Sequence, residues 1–263
     1  MEGVTSSGSP ADFPALLQRH GLYPAAAPHA SISSSSPQET QATTILAFKF
    51  AGGVLMAGDR RATAGNTVVY DRADKVLEID RHSLMAIAGV PATAWEMARV
   101  LEHSFQFYRR TQLQEMSLDG KVRALSKLLR DNFGFVMQGV GIVVPIFATY
   151  DLAAQCARLY FYDAMGAQFE AADYAVSGSG SPAVRSILYY QNTWGKQPLH
   201  EIGREEAVVL ALRALDTAAD TDTATGGVDR RGRVYPVVKI VSGEGISTLS
   251  EEDLATTFKT EVK

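Results

Sequence analysis

The pattern of hydrophobic and polar positions changes abruptly at Thr43. Before it, residues 1–42 are rich in Ser, Pro, Ala and Gly, and five prolines interrupt every apolar run. Such a segment buries too little apolar surface to offset the entropy of ordering it, so we expect it to be disordered. Residues 13–23 could form one or two amphipathic turns. A permanent tail and a segment removed from the mature protein both fit this pattern.

From Thr43 onward, short apolar runs predict β-strands in blocks. Residues 43–50 and 54–59 flank Gly52-Gly53, a pair typical of a hairpin. Further strands are expected at 66–71, 75–80 and 83–89, then at 143–151, 156–164 and 167–179, and finally at 234–243.

Apolar spacings of three and four predict helices between these blocks. The first begins near Pro91, and its apolar face is Trp95, Ala98, Leu101, Phe105 and Tyr108. Others are expected over residues 117–138, from Ser181 as N-cap, over 204–219 and over 250–261. Strands and helices in separate blocks favour an α+β fold, with antiparallel sheets and helices layered outside.

Composition removes several classes of function. The chain has 46% hydrophobic and 21% charged residues and a net charge of −4, without the basic surplus of a nucleic-acid binder. The lone Cys156 rules out an intrachain disulfide framework and fits a reducing cytosol. The sequence lacks both the ~20-residue apolar run of a membrane span and a secretory signal, so we expect a cytoplasmic protein. Its five histidines lack metal-ligand spacing, so no metal site is expected.

Two threonines, Thr43 and Thr44, stand where the first strand begins. A neutral hydroxyl is a poor nucleophile and needs a base within reach. An N-terminal residue supplies its own base, because the α-amino group has a reference pKa of about 7.7–8.0. Excision of residues 1–42 would create such a residue at Thr43. β-Branched residues also begin strands for packing reasons alone, so the threonines by themselves leave both readings open.

Two charged residues add to this pattern. Asp59 ends the second strand and Lys75 begins a later one. An ammonium near the threonine oxygen favours alkoxide character, and a carboxylate beside that ammonium fixes and neutralises it. Taken singly, each residue fits a solvated surface charge better than a catalytic group.

The run TTILAFKFAGGVLMAGDRRATAGN, followed by DKVLEI and AIAG, closely resembles the β subunits of the proteasome, above all the actinobacterial type. SGSGSP and DTATGG continue the resemblance, which covers residues 43–229. It implies that Thr43 is the nucleophile after autolytic removal of residues 1–42. The residues implied to assist it are Asp59 and Lys75 in the catalytic core, and Ser179 and Asp222 beside the Thr43 amine, with Thr225 in the family's Ser/Thr place.

Spacing and strand geometry distinguish the two threonines. The family places its nucleophile sixteen residues before the Asp and thirty-two before the Lys, and Thr43 satisfies both distances whereas Thr44 satisfies neither. Side chains alternate along a strand, so Thr44 should point away from wherever Thr43 points.

The resemblance also implies substrate-binding residues. Gly89 corresponds to the oxyanion-hole glycine, although a plain strand-to-helix turn also fits there. Thr63 and Pro91 correspond to positions whose backbone pairs with the substrate, and Pro91 lacks an N–H. The pocket for the residue before the scissile bond maps to uncharged side chains, which predicts cleavage after apolar residues. These are Ala62, Ala73, Leu77 and Ile87, with Trp95 as a further candidate.

One residue at the cleavage site departs from the family pattern. Ala42 replaces the usual glycine before the nucleophile. Alanine is less free than glycine in a tight turn by about 1 kcal/mol, so self-processing at Ala42–Thr43 should be slower but not lost.

Family resemblance further implies the architecture and partners. The fold would be the four-layer αββα sandwich of N-terminal nucleophile hydrolases, with residues 43–263 as the mature threonine endopeptidase and a short C-terminal tail. No metal or organic cofactor is implied. Implied partners are seven-membered β rings stacked in pairs, outer rings of α subunits, a regulatory ring ATPase and unfolded protein substrates.

Two alternatives stay open at this stage. The simpler two-ring bacterial threonine protease also begins Thr-Thr-Ile, but its turn typically reads Gly-Asp-Gly-Gln and its chain is shorter. Arg60-Arg61 and the length after Thr43 favour the proteasome. The other alternative is a catalytically silent ring subunit with a structural or gating role. Such subunits lack the Thr or the Lys, which this chain keeps.

Overall fold

Two five-stranded antiparallel sheets form the centre of the molecule. The computed structural model describes residues 13–22, 43–64, 67–229 and 234–262. The first sheet has the order β10-β1-β2-β11-β12. Its strands are β1 (Thr44–Phe50), β2 (Gly53–Gly58), β10 (Tyr174–Gly178), β11 (Val237–Ser242) and β12 (Gly245–Thr248).

The second sheet follows the chain order β5-β6-β7-β8-β9. Its strands are β5 (Val76–Asp80), β6 (Ser83–Ala86), β7 (Ile146–Asp151), β8 (Cys156–Tyr162) and β9 (Gln168–Glu170). A separate hairpin joins the two sheets along the chain, and it consists of β3 (Ala62–Ala64) and β4 (Thr67–Tyr70).

Helices cover the outer face of each sheet. The α-helices of the described part of the chain are α1 (Phe13–Arg19), α2 (Pro91–Gln112), α3 (Leu118–Asp131), α4 (Phe133–Val136), α5 (Ser181–Trp194), α6 (Arg204–Thr221) and α7 (Glu251–Thr257). A short 3₁₀ helix spans Leu199–Glu201 and a π-helical turn spans Phe258–Val262. One apolar cluster joins α5, α6 and α7 to the first sheet, and a second joins α2 and α3 to the second sheet. A third cluster lies between the sheets. These layers confirm the predicted αββα sandwich.

The side chains of β1 alternate between two of these apolar clusters. Leu46, Phe48 and Phe50 pack toward the helices of the first sheet, whereas Ile45 and Ala47 pack toward the second sheet. Both faces are therefore apolar, as expected for a strand in the middle of a sandwich. By the same alternation, a side chain at position 44 faces the helices and one at position 43 faces the second sheet.

Three helical details differ from the sequence-based expectation. Trp95 is 42% exposed, because the buried face of α2 runs through Ala94 and Met97 instead. The single helix expected over residues 117–138 is divided into α3 and α4 at Asn132, whose amide donates to the Gly141 carbonyl. Helix α5 begins at Ser181, and the N-cap is residue 180, not the serine.

The short helix α1 lies within the segment where one or two helical turns were expected. It contacts α2 through Phe13, whose ring centroid is 5.7 Å from that of Phe107 and 6.1 Å from that of His103. Among the helices that the model describes, none combines the length and apolar character needed to cross a membrane.

Candidate active site

Thr43 immediately precedes β1 and is only 3% exposed. Its carbonyl oxygen accepts a hydrogen bond from the Ser179 N–H at 2.9 Å. Gly178, which ends β10, has φ +95°, and a Cβ there would lie 1.8 Å from the same carbonyl oxygen. Only glycine allows β10 to approach this closely, so the SGSG turn fixes the backbone at Thr43.

Asp59 and Lys75 form a buried ion pair beside this backbone. The Lys75 Nζ is 2.7 Å from Asp59 Oδ1, and the same oxygen accepts the Thr44 N–H at 2.7 Å. The other oxygen, Oδ2, accepts the N–H groups of Arg61 at 2.9 Å and Gly226 at 2.8 Å. Three backbone donors and one ammonium therefore hold the carboxylate one peptide bond away from Thr43.

Burial changes the proton affinity of Lys75. Desolvation lowers the pKa of Lys75 below its ordinary value and outweighs the opposing effect of Asp59. The ammonium also donates to the Arg61 carbonyl at 2.5 Å, which fixes its position. A buried lysine with a lowered pKa, paired with a carboxylate, is an arrangement that occurs at functional sites.

Ser179 and Asp222 form a second polar cluster next to Thr43. The Ser179 Oγ donates to Asp222 Oδ2 at 2.5 Å, and the Thr225 hydroxyl donates to the same oxygen at 2.6 Å. Burial by itself would raise the pKa of Asp222, but these two hydrogen bonds and the Ala224 N–H outweigh it, so the pKa is lowered. Asp222 is thus an ionised acceptor at neutral pH.

The expected substrate-side residues lie along chain segments that adjoin this site. The Ile87 N–H donates to the Lys75 carbonyl at 2.9 Å, which links the segment after β6 to the lysine. Gly89 follows with φ +112°, and a Cβ there would lie 2.0 Å from the Ile142 carbonyl oxygen. Pro91 is the first residue of α2, and it is partly exposed.

The strand β3 supplies the other two expected residues. Ala62 and Thr63 are both buried, at 9% and 5% exposure, and a β-bulge lies between them. They follow Arg61, whose carbonyl binds Lys75, so β3 leaves the ion pair directly. Their contacts with a substrate stay a prediction.

Sequence reasoning did not assign roles to two residues of this site. Arg61 donates from Nη1 to the carbonyls of Thr223, at 3.0 Å, and Thr225, at 3.3 Å, and thereby joins the two polar clusters. Its position in the Asp-Arg-Arg turn was the available signal. Thr44 was expected to point away from Thr43 and received no role, yet its hydroxyl lies 2.5 Å from the Thr225 hydroxyl and so contacts the polar cluster of Asp222. Ala42, the residue before the expected cleavage site, lies outside the described residues, as do residues 1–12 and 23–41 of the expected pro-segment.

Two antiparallel sheets enclosed by helices form the fold of the N-terminal nucleophile hydrolases. The model of the proteasome subunit family matches residues 39–231. Proteasome subunit beta 2 of Thermomonospora curvata is 38% identical over 223 residues, which cover 85% of this chain and 77% of that protein. Proteasome subunit beta of Streptosporangium roseum is 41% identical over 214 residues, which cover 81% and 73% respectively.

A third relative, proteasome subunit beta of Streptomyces griseus, is 36% identical over 211 residues, covering 80% of this chain and 73% of that protein. The chain therefore belongs to the proteasome subunit family, and its resemblance to actinobacterial β subunits is confirmed. Such a subunit is a hydrolase that assembles with other subunits into a proteasome core.

Proposed function

We propose that the mature chain is a threonine endopeptidase whose nucleophile is the hydroxyl of Thr43. Cleavage of the Ala42–Thr43 bond removes residues 1–42 and turns the Thr43 amide nitrogen into a free α-amine. In the precursor this nitrogen has no basic lone pair. The cut therefore creates the general base and the active nucleophile in one residue.

The proposed reaction has two steps. The Thr43 hydroxyl attacks a peptide carbonyl while its proton passes to the α-amine, and the amine of the leaving peptide takes that proton as the bond breaks. The resulting acyl ester is then hydrolysed by a water whose proton goes to the same α-amine, and the amine returns this proton to the Thr43 oxygen as the C–O bond breaks and the acid product leaves. Thr43 leaves the second step with a free hydroxyl, so the cycle needs no cofactor.

The buried Lys75–Asp59 pair is the observation that carries this proposal. An ammonium at this site stabilises negative charge on the Thr43 oxygen, and the carboxylate holds the ammonium in place at 2.7 Å. A buried ion pair costs desolvation energy that two apolar residues would not, so it is weak evidence of stability. Its position, one peptide bond from Thr43, favours a role in catalysis.

Ser179 and Asp222 support the other half of the proposal. The Ser179 N–H binds the Thr43 carbonyl and the Ser179 hydroxyl binds Asp222, which connects Asp222 to the residue whose nitrogen becomes the α-amine. An ionised Asp222 favours the protonated amine that forms during attack. Both residues therefore fit a role in holding the Thr43 amine.

Substrate binding is proposed for the segments on either side of the ion pair. The backbone N–H of Gly89 would bind the oxyanion, as the family resemblance implies. The φ of +112° and the close Ile142 carbonyl explain why this position is a glycine. Thr63 and Pro91 would pair with the substrate backbone, and Ala62 and Ile87 would line the pocket before the scissile bond. The buried, uncharged side chains at positions 62 and 87 favour cleavage after apolar residues.

Within the core, we propose seven-membered rings of this subunit, with rings of α subunits outside and a ring ATPase that delivers unfolded proteins. The proposed compartment is the cytoplasm. These proposals rest on membership of the proteasome subunit family.

Replacement of the nucleophile tests the function. Core particles carrying Thr43→Ala should lose hydrolysis of a fluorogenic peptide with an apolar residue before the leaving group. Thr256→Ala is the control, because it changes an exposed threonine on α7. Particles with this substitution, prepared in the same way, should keep wild-type activity. Undiminished hydrolysis by Thr43→Ala particles would overturn the proposal and favour a silent subunit.

A further inference from the structure

Every polar group of Thr44 is engaged in a hydrogen bond within the site. Its N–H donates to Asp59 Oδ1 at 2.7 Å, and its carbonyl accepts the Asp59 N–H at 3.1 Å. Its hydroxyl accepts the Gly180 N–H at 3.0 Å and lies 2.5 Å from the Thr225 hydroxyl. The residue is fully buried, at 0% exposure, so all four bonds form away from solvent.

The direction of the bond between the two threonine hydroxyls follows from their other partners. Thr225 gives its single hydroxyl proton to Asp222 Oδ2, at 2.6 Å. In the 2.5 Å contact, therefore, Thr44 donates and Thr225 accepts. A continuous chain of hydrogen bonds runs from Thr44 through Thr225 to the carboxylate of Asp222.

The backbone at Gly180 lies close to the Thr44 hydroxyl. A Cβ at Gly180 would lie 2.6 Å from the Thr44 hydroxyl oxygen and 2.7 Å from that of Thr225. Residue 180 is the N-cap of α5, and Gly178 ends β10. The hydroxyl is therefore closely surrounded by backbone, and both its donor and acceptor functions are used.

We propose that Thr44 is a positioning residue that joins the two halves of the catalytic site. Its backbone is bonded to Asp59, which holds Lys75, and its hydroxyl is bonded through Thr225 to Asp222. Thr44 carries no reacting atom, and it acts by fixing the peptide that bears Thr43 relative to both clusters. This inference rests on the proposed function of Thr43.

The test is a set of substitutions at Thr44 that separate its hydroxyl from its shape. Thr44→Val keeps the branched shape and removes the hydroxyl. Thr44→Ala and Thr44→Ser form a second pair that differs only by the hydroxyl, so the comparison survives if valine is not accommodated. Rates are measured on assembled core particles and expressed per chain whose N-terminus is Thr43.

Thr149→Val is the matched control. Thr149 is also a buried strand threonine, at 2% exposure, and its hydroxyl has two partners, the hydroxyl of Ser83 at 3.0 Å and the carbonyl of His82 at 2.8 Å. Thr149 pairs with Ser83 at the start of β6, whereas the site adjoins the other end of that strand, after Ala86. Its substitution should lower thermal stability as Thr44→Val does, without a change in catalysis.

We expect Thr44→Val and Thr44→Ala to lower kcat about 10- to 100-fold with KM within about threefold, because misplaced reacting groups lose rate more than binding. Thr44→Ser and Thr149→Val should stay within about threefold of wild type. Equal losses in Thr44→Ser and Thr44→Ala, or a Thr44→Val kcat no lower than that of Thr149→Val, would overturn the inference. Wild-type particles without Thr43-dependent activity would instead refute the proposed function, and this inference with it.

Discussion

Removal of each partner of the Asp59–Lys75 pair should have unequal effects on stability. Lys75→Met removes one donor from a carboxylate that keeps three backbone N–H partners. Asp59→Asn keeps the shape of the side chain but replaces one acceptor oxygen by an NH₂ group. Whichever way that amide is oriented, two of the four donors around position 59 face another donor, and the buried ammonium loses its counter-charge.

These contacts give the expected magnitudes. Loss of one charge-assisted hydrogen bond in Lys75→Met should cost about 1.5–3 kcal/mol of the free energy of unfolding. Asp59→Asn leaves buried donors unsatisfied and a buried charge unpaired, for which about 3–5 kcal/mol is typical. We therefore expect Asp59→Asn to be less stable than Lys75→Met by about 2 kcal/mol, a difference between these two ranges.

Urea unfolding at one fixed protein concentration measures this difference. Both substitutions are made in a Thr43→Ala background, so that every sample keeps the same covalent form. Lys121→Met is the control for removal of a partly buried lysine, because Lys121 pairs with Asp80 at 2.6 Å at the other end of β5. A Lys75→Met chain as unstable as Asp59→Asn, or less stable, would refute the reasoning that backbone donors hold the carboxylate.

Two further predictions concern the backbone and the pH dependence. Gly178→Ala should block processing at Thr43, because the new Cβ would overlap the Thr43 carbonyl oxygen at 1.8 Å. Gly134→Ala is the control, since a Cβ at position 134 would meet open space and processing should be normal. Mass spectrometry measures processing of both variants, and a processed Gly178→Ala chain would contradict the packing. The lowered pKa of Asp222 means that its stabilising contribution is fully present above its unfolded pKa of about 4 and is lost as pH falls through the lower folded value. The stability difference between wild type and Asp222→Asn should therefore be constant near neutral pH and shrink in acid, and a difference independent of pH would show that the carboxylate is not stabilised by its partners.

Much of the fold could be predicted from periodicity and turn residues. The hairpin at Gly52-Gly53 and the helix from Pro91 are present, because local glycine and proline chemistry decides them. The prediction for the buried face of α2 was wrong at Trp95, because the neighbouring residue Ala94 is buried instead. Which side of α2 is exposed depends on the elements that pack against the helix, and the helical periodicity alone does not specify them.

The candidate site was predictable only through motifs that recur at fixed spacing. Asp59, Lys75 and Asp222 are far apart in the chain, and singly each resembles a surface charge. The sequence did not predict the role now proposed for Thr44. Side chains alternate along a strand, so the Thr44 side chain was expected to lie outside the site. Its side chain does point away from the expected direction of Thr43, but the loop that carries Thr225 lies on that side.

The most direct test of the central claim is N-terminal mass analysis of the chain co-expressed with its α subunit. If an internal threonine is converted into a nucleophile with its own base, active particles should contain chains that begin at Thr43, and Thr43→Ala particles should keep Ala42 attached to residue 43. Active particles in which the Ala42–Thr43 bond is intact would contradict the account.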